Sequence, residues 1–381
     1  MKSILKILKY KDFLLIFLTL IMISTLFIIS GCKTNKDLDS KEKDPAKNKE
    51  EEVEKIKAPI SLDGEVFSTI YGWLSDHEII YSTEVGQGGT IYSYDLIDGK
   101  KELLYKTEVP IVTVKISPSK KWILIHSSQS TYKGIVSVID KKGNSYFSKE
   151  IESTEIGLEW NIYDDNLLLL SAFKEDWSYN TYLLSMSNQT LQEIKMVEPF
   201  AFWLSKEELL YLDWDNEKPT LLAPLMKMGI HDEESVEMLS SIFHVSTFHG
   251  MLVTISVNDE DNEEALYTFY TNDFKKVHTI VIPQITRYSD WLIPYHDYIE
   301  KSNQFITLQP IKSGDIETYK DGFQLVSYHL DKKEKEVLFD HLKNEPISCS
   351  PSGNLCLYGN SFEKLINLNS REIIQLVKGS L

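Results

Sequence analysis

Two short segments of this chain place aromatic rings beside carboxylates, a combination that suits the binding of sugars or peptides. They read Asp176-Trp177-Ser178-Tyr179 and Asp213-Trp214-Asp215. An aromatic ring offers a flat apolar surface, and a carboxylate beside it accepts hydrogen bonds from hydroxyl or amide groups. The candidate ligand-face residues are therefore Trp177, Tyr179, Asp176, Trp214, Asp213 and Asp215. The alternative, which we prefer for the two tryptophans, is that they fold back and pack between structural units.

Familiar catalytic and metal-binding motifs are absent from the sequence. The nine histidines form no zinc-hydrolase pattern, and no Gly-x-Ser-x-Gly nucleophile motif occurs. The acidic run 259–264 lacks the glycine and the terminal glutamate of an EF-hand loop. A pair of glycosidase-type carboxylates is left open, since 57 acidic residues offer many candidates. We predict no cofactor and no metal site, and the sequence favours a binding protein over an enzyme.

Cys32 follows a basic and then apolar N-terminus. The run 13–29 has 17 residues, of which only Thr19, Ser24 and Thr25 are polar. The ending Ile29-Ser30-Gly31-Cys32 resembles the lipobox of bacterial lipoproteins. This resemblance implies cleavage after residue 31 and a diacylglyceryl thioether on Cys32. An uncleaved signal anchor is the alternative, because 17 residues come close to spanning a bilayer.

The sequence divides into three parts. Residues 1–31 are the predicted lipoprotein signal peptide, residues 32–59 the lipidated cysteine and a charged disordered linker, and residues 60–381 the globular domain. Sixteen of the 25 residues in 33–57 are charged, so this stretch has almost nothing to bury. Positive N-terminal charge stays inside, which predicts a cell-membrane protein lipid-anchored on the extracytoplasmic side. The net charge of −17 argues against a nucleic-acid partner.

The globular part contains short β-branched and aromatic runs separated by polar turns. Strongly apolar strands recur at intervals of 42 to 54 residues. They begin at Ile79, Trp122, Leu167, Leu209, Met251, Phe305 and Leu355. This period is typical of a β-propeller blade, which has four antiparallel strands. We predict an all-β fold with a single, monomeric propeller of seven four-stranded blades; six is the alternative if the irregular segments 283–298 and 312–322 are interpreted differently.

The turns carry a family resemblance. Ser350-Pro351-Ser352-Gly353 is similar to the Ser-Pro-Asp-Gly turn of TolB-like propellers, in which proline suits a type I turn and glycine takes the left-handed position after it. Lipobox, charged linker and propeller together resemble the YqgU-like β-propeller lipoproteins of Gram-positive bacteria. That resemblance rests on architecture over nearly the whole chain. The family is described as six-bladed, and it implies no activity and no functional residue beyond Cys32.

The two remaining cysteines flank this last turn. A two-residue loop would place Cys349 opposite Cys356 and permit a disulfide. A type I turn with Gly353 as a bulge residue satisfies the residue preferences better and offsets the register by one, which places the two thiols on opposite faces. We therefore expect free, largely buried thiols.

These observations predict a lipid-anchored, extracytoplasmic β-propeller that acts as a binding or scaffold module in the cell envelope. Its expected partners are the membrane, through Cys32, and an envelope protein or glycan. The alternative is a propeller enzyme acting on cell-wall or capsule carbohydrate. Such an enzyme would have a deep axial pocket lined by acids with opposed pKa shifts, whereas a scaffold would present a broad face carrying aromatic residues.

Overall fold

The computed structural model describes residues 55–378 apart from 216, 219, 233 and 258–262. The predicted signal peptide, Cys32 and most of the predicted linker lie outside these residues. Within the described part of the chain, no helix has the length and apolarity needed to cross a bilayer.

The described residues form seven four-stranded antiparallel sheets, which we call blades 1 to 7, and one small three-stranded sheet. Blade 1 comprises β1 (Val66–Trp73), β2 (Glu78–Val85), β3 (Gly88–Asp95) and β4 (Lys101–Thr107). Blade 2 comprises β5 (Ile111–Ile116), β6 (Trp122–Ser130), β7 (Lys133–Asp140) and β8 (Ser145–Glu152). Blade 3 comprises β9 (Glu155–Trp160), β10 (Leu167–Phe173), β11 (Tyr179–Ser185) and β12 (Thr190–Ile194). Blade 4 comprises β13 (Ala201–Trp203), β14 (Glu208–Leu212), β15 (Ala223–Gly229) and β16 (Ser235–Ile242).

The second half continues this pattern with one interruption. Blade 5 comprises β17 (His244–Phe248), β18 (Met251–Val257), β19 (Glu264–Thr271) and β20 (Lys276–Pro283). It is followed by β21 (Ile285–Arg287) and β22 (Asp290–Leu292). Blade 6 comprises β23 (His296–Ile299), a short 3-10 helix (Glu300–Ser302), β24 (Gln304–Pro310), then, after β25 (Gly314–Asp315), β26 (Phe323–His329) and β27 (Glu334–Leu342). Blade 7 comprises β28 (Ile347–Cys349), β29 (Leu355–Tyr358), β30 (Lys364–Asn367) and β31 (Glu372–Gln375). The small sheet is formed by β21, β22 and β25, from the segments that the sequence marked as irregular.

Each blade is buried on both of its faces. In β10, for example, Leu168 and Leu170 belong to an apolar cluster shared with blade 2, whereas Leu169 belongs to one shared with blade 4. Successive side chains of a strand point to opposite faces, so a strand that is covered on both sides becomes a continuous apolar run. Seven such clusters lie between consecutive blades, the seventh joining blade 7 to blade 1. The blades therefore form a closed ring, which confirms the predicted propeller.

The ring closes without exchange of a strand, since no blade takes a strand from beyond its own segment of the chain; blade 6 alone is interrupted, by β25 of the small sheet. Instead, the segment before β1 contacts both the first and the last blade. The backbone N–H of Lys57 donates to Leu96 of blade 1 at 2.7 Å, and that of Ile60 donates to Leu376, just after β31, at 2.8 Å. The Ile60 side chain is 4% exposed within the cluster between blades 7 and 1. Residues 55–59, which the sequence assigned to the linker, thus contact the propeller.

The first strand of each blade is its innermost strand. Neighbouring first strands contact one another, as seen for β1 with β5, β9 with β13, β13 with β17, and β23 with β28. Two of these strands end in a tryptophan that donates its indole N–H to the preceding blade. Trp73 bonds the carbonyl of Ser348 at 2.9 Å, and Trp203 bonds that of Glu159 at 3.1 Å. The first of these bonds lies where the ring closes.

The structure contradicts the prediction of free thiols. Cys349 and Cys356 lie directly opposite each other in β28 and β29, and they form a disulfide. Cys356 is fully buried, whereas Cys349 is half-buried beside the axis of the ring. The prediction was therefore wrong about the register of this hairpin.

The physical reason is one extra residue in the loop. The predicted type I turn is present, because the N–H of Gly353 donates to Ser350 at 2.8 Å and Gly353 has φ +77°. However, the N–H of Ser350 donates to Leu355 at 2.7 Å, so Asn354 also belongs to the loop. A fourth loop residue shifts the pairing by one position, and the two cysteines then share one face.

We expect the disulfide to be detectable by alkylation. Under denaturing, non-reducing conditions, Cys349 and Cys356 should resist alkylation and the chain should be two hydrogens lighter than the fully reduced form. In a chain produced without lipidation, Cys32 should still be alkylated and serves as the positive control. Replacing both cysteines by serine should lower the free energy of unfolding by about 2 kcal/mol, because the short loop is no longer closed in the unfolded chain. Alkylation of all three cysteines would contradict the disulfide.

Candidate functional site

The antiparallel strands give the ring two different ends. We call turn face the end that carries the loops between first and second strands, such as 117–121, 300–303 and 350–354. We call connection face the end that carries the loops between second and third strands and the links between blades, such as 174–178 and 195–200. All six ligand-face candidates lie at the connection face.

A group of aromatic side chains is clustered on the connection face of blades 3 and 4. Phe173 is buried, and the ring of Phe200 stacks on it at a centroid distance of 5.4 Å. The rings of Tyr179 and Trp177 lie at 6.0 Å and 6.3 Å from Phe173. With Val197, which is exposed, we call these residues the aromatic patch. Phe200 and Val197 were not singled out from the sequence, although Phe202 and Trp203 follow Phe200 closely.

Trp177 points into solvent. Its side chain is 71% exposed and its backbone has φ +64°, with its N–H donating to Lys174 at 3.0 Å. The preferred expectation that Trp177 packs between blades was therefore wrong. Asp176 stabilises this turn by accepting the N–H of Ser178 at 3.0 Å and its hydroxyl at 2.6 Å, and the hydroxyl bond holds the pKa of the Asp176 carboxyl below its usual range.

The second candidate segment contributes an acidic group beside the patch. Asp215 accepts the backbone N–H groups of Glu217 and Lys218 at 2.8 and 3.0 Å, so its carboxylate shapes its own loop. Trp214 is half-buried and Asp213 is exposed. Burial, and then the charge of Asp213, raise the pKa of Glu198, which adjoins Val197 in the patch. Among the candidates, Trp177 and Tyr179 thus share the patch around Phe173, and Asp213 lies near Glu198. Asp176 and Asp215 stabilise their own turns, and Trp214 joins no described aromatic contact.

The structure also contains a pocket that the sequence did not reveal. It has a volume of about 910 Å³ and lies along the axis, open at the turn face. We call it the axial pocket. It is formed by the innermost strands and adjoining turns of blades 6, 7, 1 and 2. Its polar and aromatic lining includes Tyr71, Trp73, Thr113, Lys115, Lys120, Asp297, Tyr298, Glu300, Lys301, Ser348 and Ser350.

Asp297 is the most perturbed acid of the axial pocket. Its Oδ2 accepts the N–H of Cys349 and its Oδ1 accepts the N–H of Tyr298, each at 2.7 Å. Burial raises the pKa of Asp297 to about 6, although these hydrogen bonds and Lys120 act in the opposite direction. Burial lowers the pKa of Lys120. A carboxylate and an ammonium group thus face one cavity without a direct ion pair among the described residues.

This arrangement does not resemble a glycosidase centre. Glu159, on the innermost strand of blade 3, also has its pKa raised by burial, as Asp297 does. A glycosidase needs two carboxyl groups whose environments push their pKa values apart. The pKa values of Asp297 and Glu159 are instead shifted in the same direction, and Glu159 does not line the axial pocket. Among the described residues, no group of three His, Cys, Asp or Glu side chains could hold a metal ion.

One serine lies between two histidines. The hydroxyl of Ser246 is 3.1 Å from Nε2 of His244 and 3.0 Å from Nε2 of His296. Burial, followed by the nearby His296, lowers the pKa of His244 to about 4, so the imidazole is neutral at physiological pH. These three side chains lie between blades 5 and 6 and none of them lines the axial pocket. We interpret them as a polar contact between blades.

The raised pKa of Asp297 predicts a pH-dependent stability. The folded state holds this proton more tightly than the unfolded state, so the contribution of Asp297 becomes less favourable as pH rises from about 4 to about 6. Between pH 4 and pH 8, the wild-type protein should therefore lose stability relative to Asp297→Asn, by at most about 3 kcal/mol. Urea unfolding of both proteins across this range measures the difference. A constant difference would contradict the assignment.

Comparison with known proteins agrees with the fold. A family model described as the YqgU-like 6-bladed β-propeller domain matches residues 95–359. The chain belongs to this family. The matched range contains blades 2 to 6 complete and parts of blades 1 and 7. The family description gives six blades, whereas the described residues of this chain form seven four-stranded sheets.

Two relatives cover nearly the whole chain. The uncharacterized lipoprotein YqgU of Bacillus subtilis (strain 168) is 26% identical over 352 residues, which are 92% of this chain and 94% of that protein. The crystal structure of the uncharacterized protein lmo1340 from Listeria monocytogenes EGD-e has a TM-score of 0.79 and 22% identity, covering 86% of this chain and 98% of the other. The curated relative is thus a lipoprotein of unknown function.

A third structure bears on the closure of the ring. The β-propeller domain of the Trilobed protease from Pyrococcus furiosus has a TM-score of 0.55 and 13% identity, covering 83% of this chain and 99% of that domain. It is described as having an open velcro topology. In the present chain, no blade takes a strand from beyond its own segment of the chain. This similarity concerns the fold alone.

Proposed function

We propose that this YqgU-like propeller is a lipid-anchored, extracytoplasmic binding module that docks an envelope protein on its aromatic patch. The observation that carries the proposal is the exposure of Trp177 and Phe200, at 71% and 64%, on the buried ring of Phe173. Large aromatic side chains are rarely left exposed in a contiguous group, and such groups often mark interaction sites. The lipobox at Cys32 and the lipoprotein relative support the anchor.

The polar groups around the patch favour a protein over a glycan. A sugar site needs free donors and acceptors beside the aromatic ring. Here the Tyr179 hydroxyl already donates to the carbonyl of Val197 at 2.5 Å. The carboxylate of Asp176 is likewise engaged by Ser178. Trp177, Val197 and Phe200 leave apolar surface toward solvent, with the carboxyl groups of Glu198 and Asp213 beside it. This apolar surface suits the aromatic and aliphatic anchors of a protein segment.

The rim of the patch specifies the charge of this partner. Glu198 follows Val197 of the patch in the sequence, and Asp213 is close enough to raise the pKa of Glu198. Two carboxyl groups that repel each other are stabilised by a shared cation, and the whole chain has a net charge of −17. We therefore expect the docked segment to combine apolar anchors with lysine or arginine residues.

The docking prediction is tested by cross-linking in intact membranes. The full-length lipoprotein and its Trp177→Ala/Phe200→Ala variant should be cross-linked, purified and analysed by mass spectrometry. Because central aromatic anchors dominate binding energy, the double variant should recover its specific protein partners at least about tenfold less well. Tyr132→Ala is the matched control, since Tyr132 is 59% exposed on the equivalent loop of blade 2.

The outcome of the cross-linking experiment distinguishes a protein partner from a glycan and from no docking at the patch. Partner capture that is unchanged in the double variant, or reduced equally by Tyr132→Ala, would contradict docking at the patch. Patch-dependent binding of purified wall polysaccharide without a protein partner would show that the ligand is a glycan. Equal melting temperatures of the three proteins would show that the substitutions leave the fold intact, as expected for exposed side chains.

The anchor is tested separately by metabolic labelling with a fatty-acid analogue. Cys32→Ala should lose the label and leave a precursor or a released protein, because residue 32 supplies the sulfur of the thioether. The Cys349→Ser/Cys356→Ser variant is the control and should keep the label. Label retained by Cys32→Ala would refute the lipobox interpretation without affecting the docking experiment.

A further inference from the structure

We infer that the axial pocket is a second binding site, which takes a small molecule bearing an anionic group and holds that group at Lys120. This site lies at the turn face, at the opposite end of the ring from the aromatic patch. It therefore does not depend on the docking function proposed above.

The backbone at Lys120 is the first argument. Ser117-Pro118-Ser119-Lys120 forms the same kind of turn as residues 350–353 of blade 7, since the N–H of Lys120 donates to Ser117 at 2.8 Å. The fourth position has φ +77° in Gly353 and φ +64° in Lys120. Such a conformation is unfavourable for a residue other than glycine, and it is often kept where the side chain serves a site.

The same position must be glycine in blade 7. A Cβ atom at Gly353 would come within 2.7 Å of the side chain of Ile299. In blade 2 the equivalent position instead carries a long cationic side chain that lines the pocket. Comparison of the two turns therefore indicates that the lysine is not required by the turn itself.

The turn that carries Lys120 is held rigidly by the next blade. Asp165 of blade 3 accepts the hydroxyl of Ser117 at 2.9 Å and the N–H of Ser119 at 3.2 Å, and it also accepts the hydroxyl of Ser119. A similar contact fixes the turn of blade 7, where Asp76 of blade 1 accepts the N–H of Ser352 at 2.5 Å. The backbone that presents the ammonium group is thus organised before any ligand arrives.

The charges of the pocket are the second argument. Lys115, Lys120 and Lys301 all line it, and in the described part of the chain none of them makes an ion pair within 4.0 Å or a side-chain hydrogen bond. The carboxylate of Asp297 accepts two backbone N–H groups, and Glu300 contacts His249 at 3.0 Å. Lys115 lies near Glu159, and Lys120 near Asp297 and Asp165, but only at a distance. Three lysines without a direct ion-pair partner give the pocket a local positive charge that suits an anion, although the protein as a whole is strongly acidic.

The surroundings of Lys120 strengthen this argument. Burial lowers its pKa even though Asp297 and Asp165 act in the opposite direction, so the ammonium group is incompletely compensated where it lies. An anion in the pocket would supply the missing charge. Lysine is a common phosphate ligand and binds as a point charge.

The size of the cavity defines the ligand further. At about 910 Å³, the pocket falls in the range of sites for whole small molecules and is too large for a lone ion. Hydroxyl groups of Thr113, Ser348 and Ser350 add hydrogen-bonding capacity to the lining. The expected ligand is therefore a polar molecule of sugar size or larger that carries a phosphate or carboxylate.

Calorimetric titration of the full-length protein in detergent, at low ionic strength, tests this site. The probes are glucose 6-phosphate, glucuronate and neutral glucose. At least one anionic sugar should bind and glucose should not, and the identity of that sugar distinguishes phosphate from carboxylate. Lys120→Gly should raise the dissociation constant at least tenfold. Its melting temperature should equal or exceed that of the wild type, because glycine relieves the left-handed conformation.

Lys333→Gly is the matched control. Lys333 also has φ +57°, but it lies in an exposed turn of blade 6 and does not line the pocket. This variant loses the same charge and relieves the same conformation, so its melting temperature should change in the same direction while anion binding stays as in the wild type. The inference is overturned if neither anionic sugar binds better than glucose, if Lys120→Gly binds like the wild type, or if both glycine variants lose binding equally.

Discussion

A blade of this protein needs a neighbour on each of its faces, since its central strands are apolar on both sides. Tyr81 and Ile80 of β2, for instance, are fully buried in different clusters, one toward blade 7 and one toward blade 2. No blade could therefore bury its surface alone. The closed ring meets this requirement for all seven blades at once, and the interface between blades 7 and 1 is where closure is achieved.

That last interface differs from the other six because it joins blades from opposite ends of the propeller segment. Its cluster includes Ile60, which lies ahead of the first strand, and Val377, which lies after the last. The indole of Trp73 adds a hydrogen bond to blade 7. Packing of a few residues before the first strand and after the last thus takes the place of a strand exchanged between the first and last blades. The innermost strands that these contacts hold in place are the same strands that enclose the axial pocket.

Most of the fold could be predicted from the sequence, for the same physical reason. Double-sided burial turns each second strand into an apolar run, and those runs start within a residue of the predicted positions, as with Trp122, Leu167 and Met251. The disulfide could not be predicted, because one loop residue, Asn354, decides whether Cys349 faces Cys356. Residue preferences do not determine loop length to that accuracy.

The sites were harder to predict than the fold. Trp177 was identified by its type, but its exposure depends on a left-handed backbone conformation that the sequence does not announce. Lys120 and Asp297 are 177 residues apart in sequence, and only the folded ring places both of them in the lining of the axial pocket. A comparison of the Ser-Pro-Ser turns of blades 2 and 7 could have drawn attention to Lys120, since lysine there occupies a position suited to glycine.

The position of residues 55–60 determines which interface of the propeller bears a force applied through the preceding chain. Any tension carried by the chain ahead of residue 55 enters the domain through the Lys57 and Ile60 hydrogen bonds, which lie at the junction of its first and last blades. A pull on this segment loads the one interface whose two blades are not joined by a direct chain connection. A force applied where the chain enters the propeller therefore acts directly to separate blades 7 and 1.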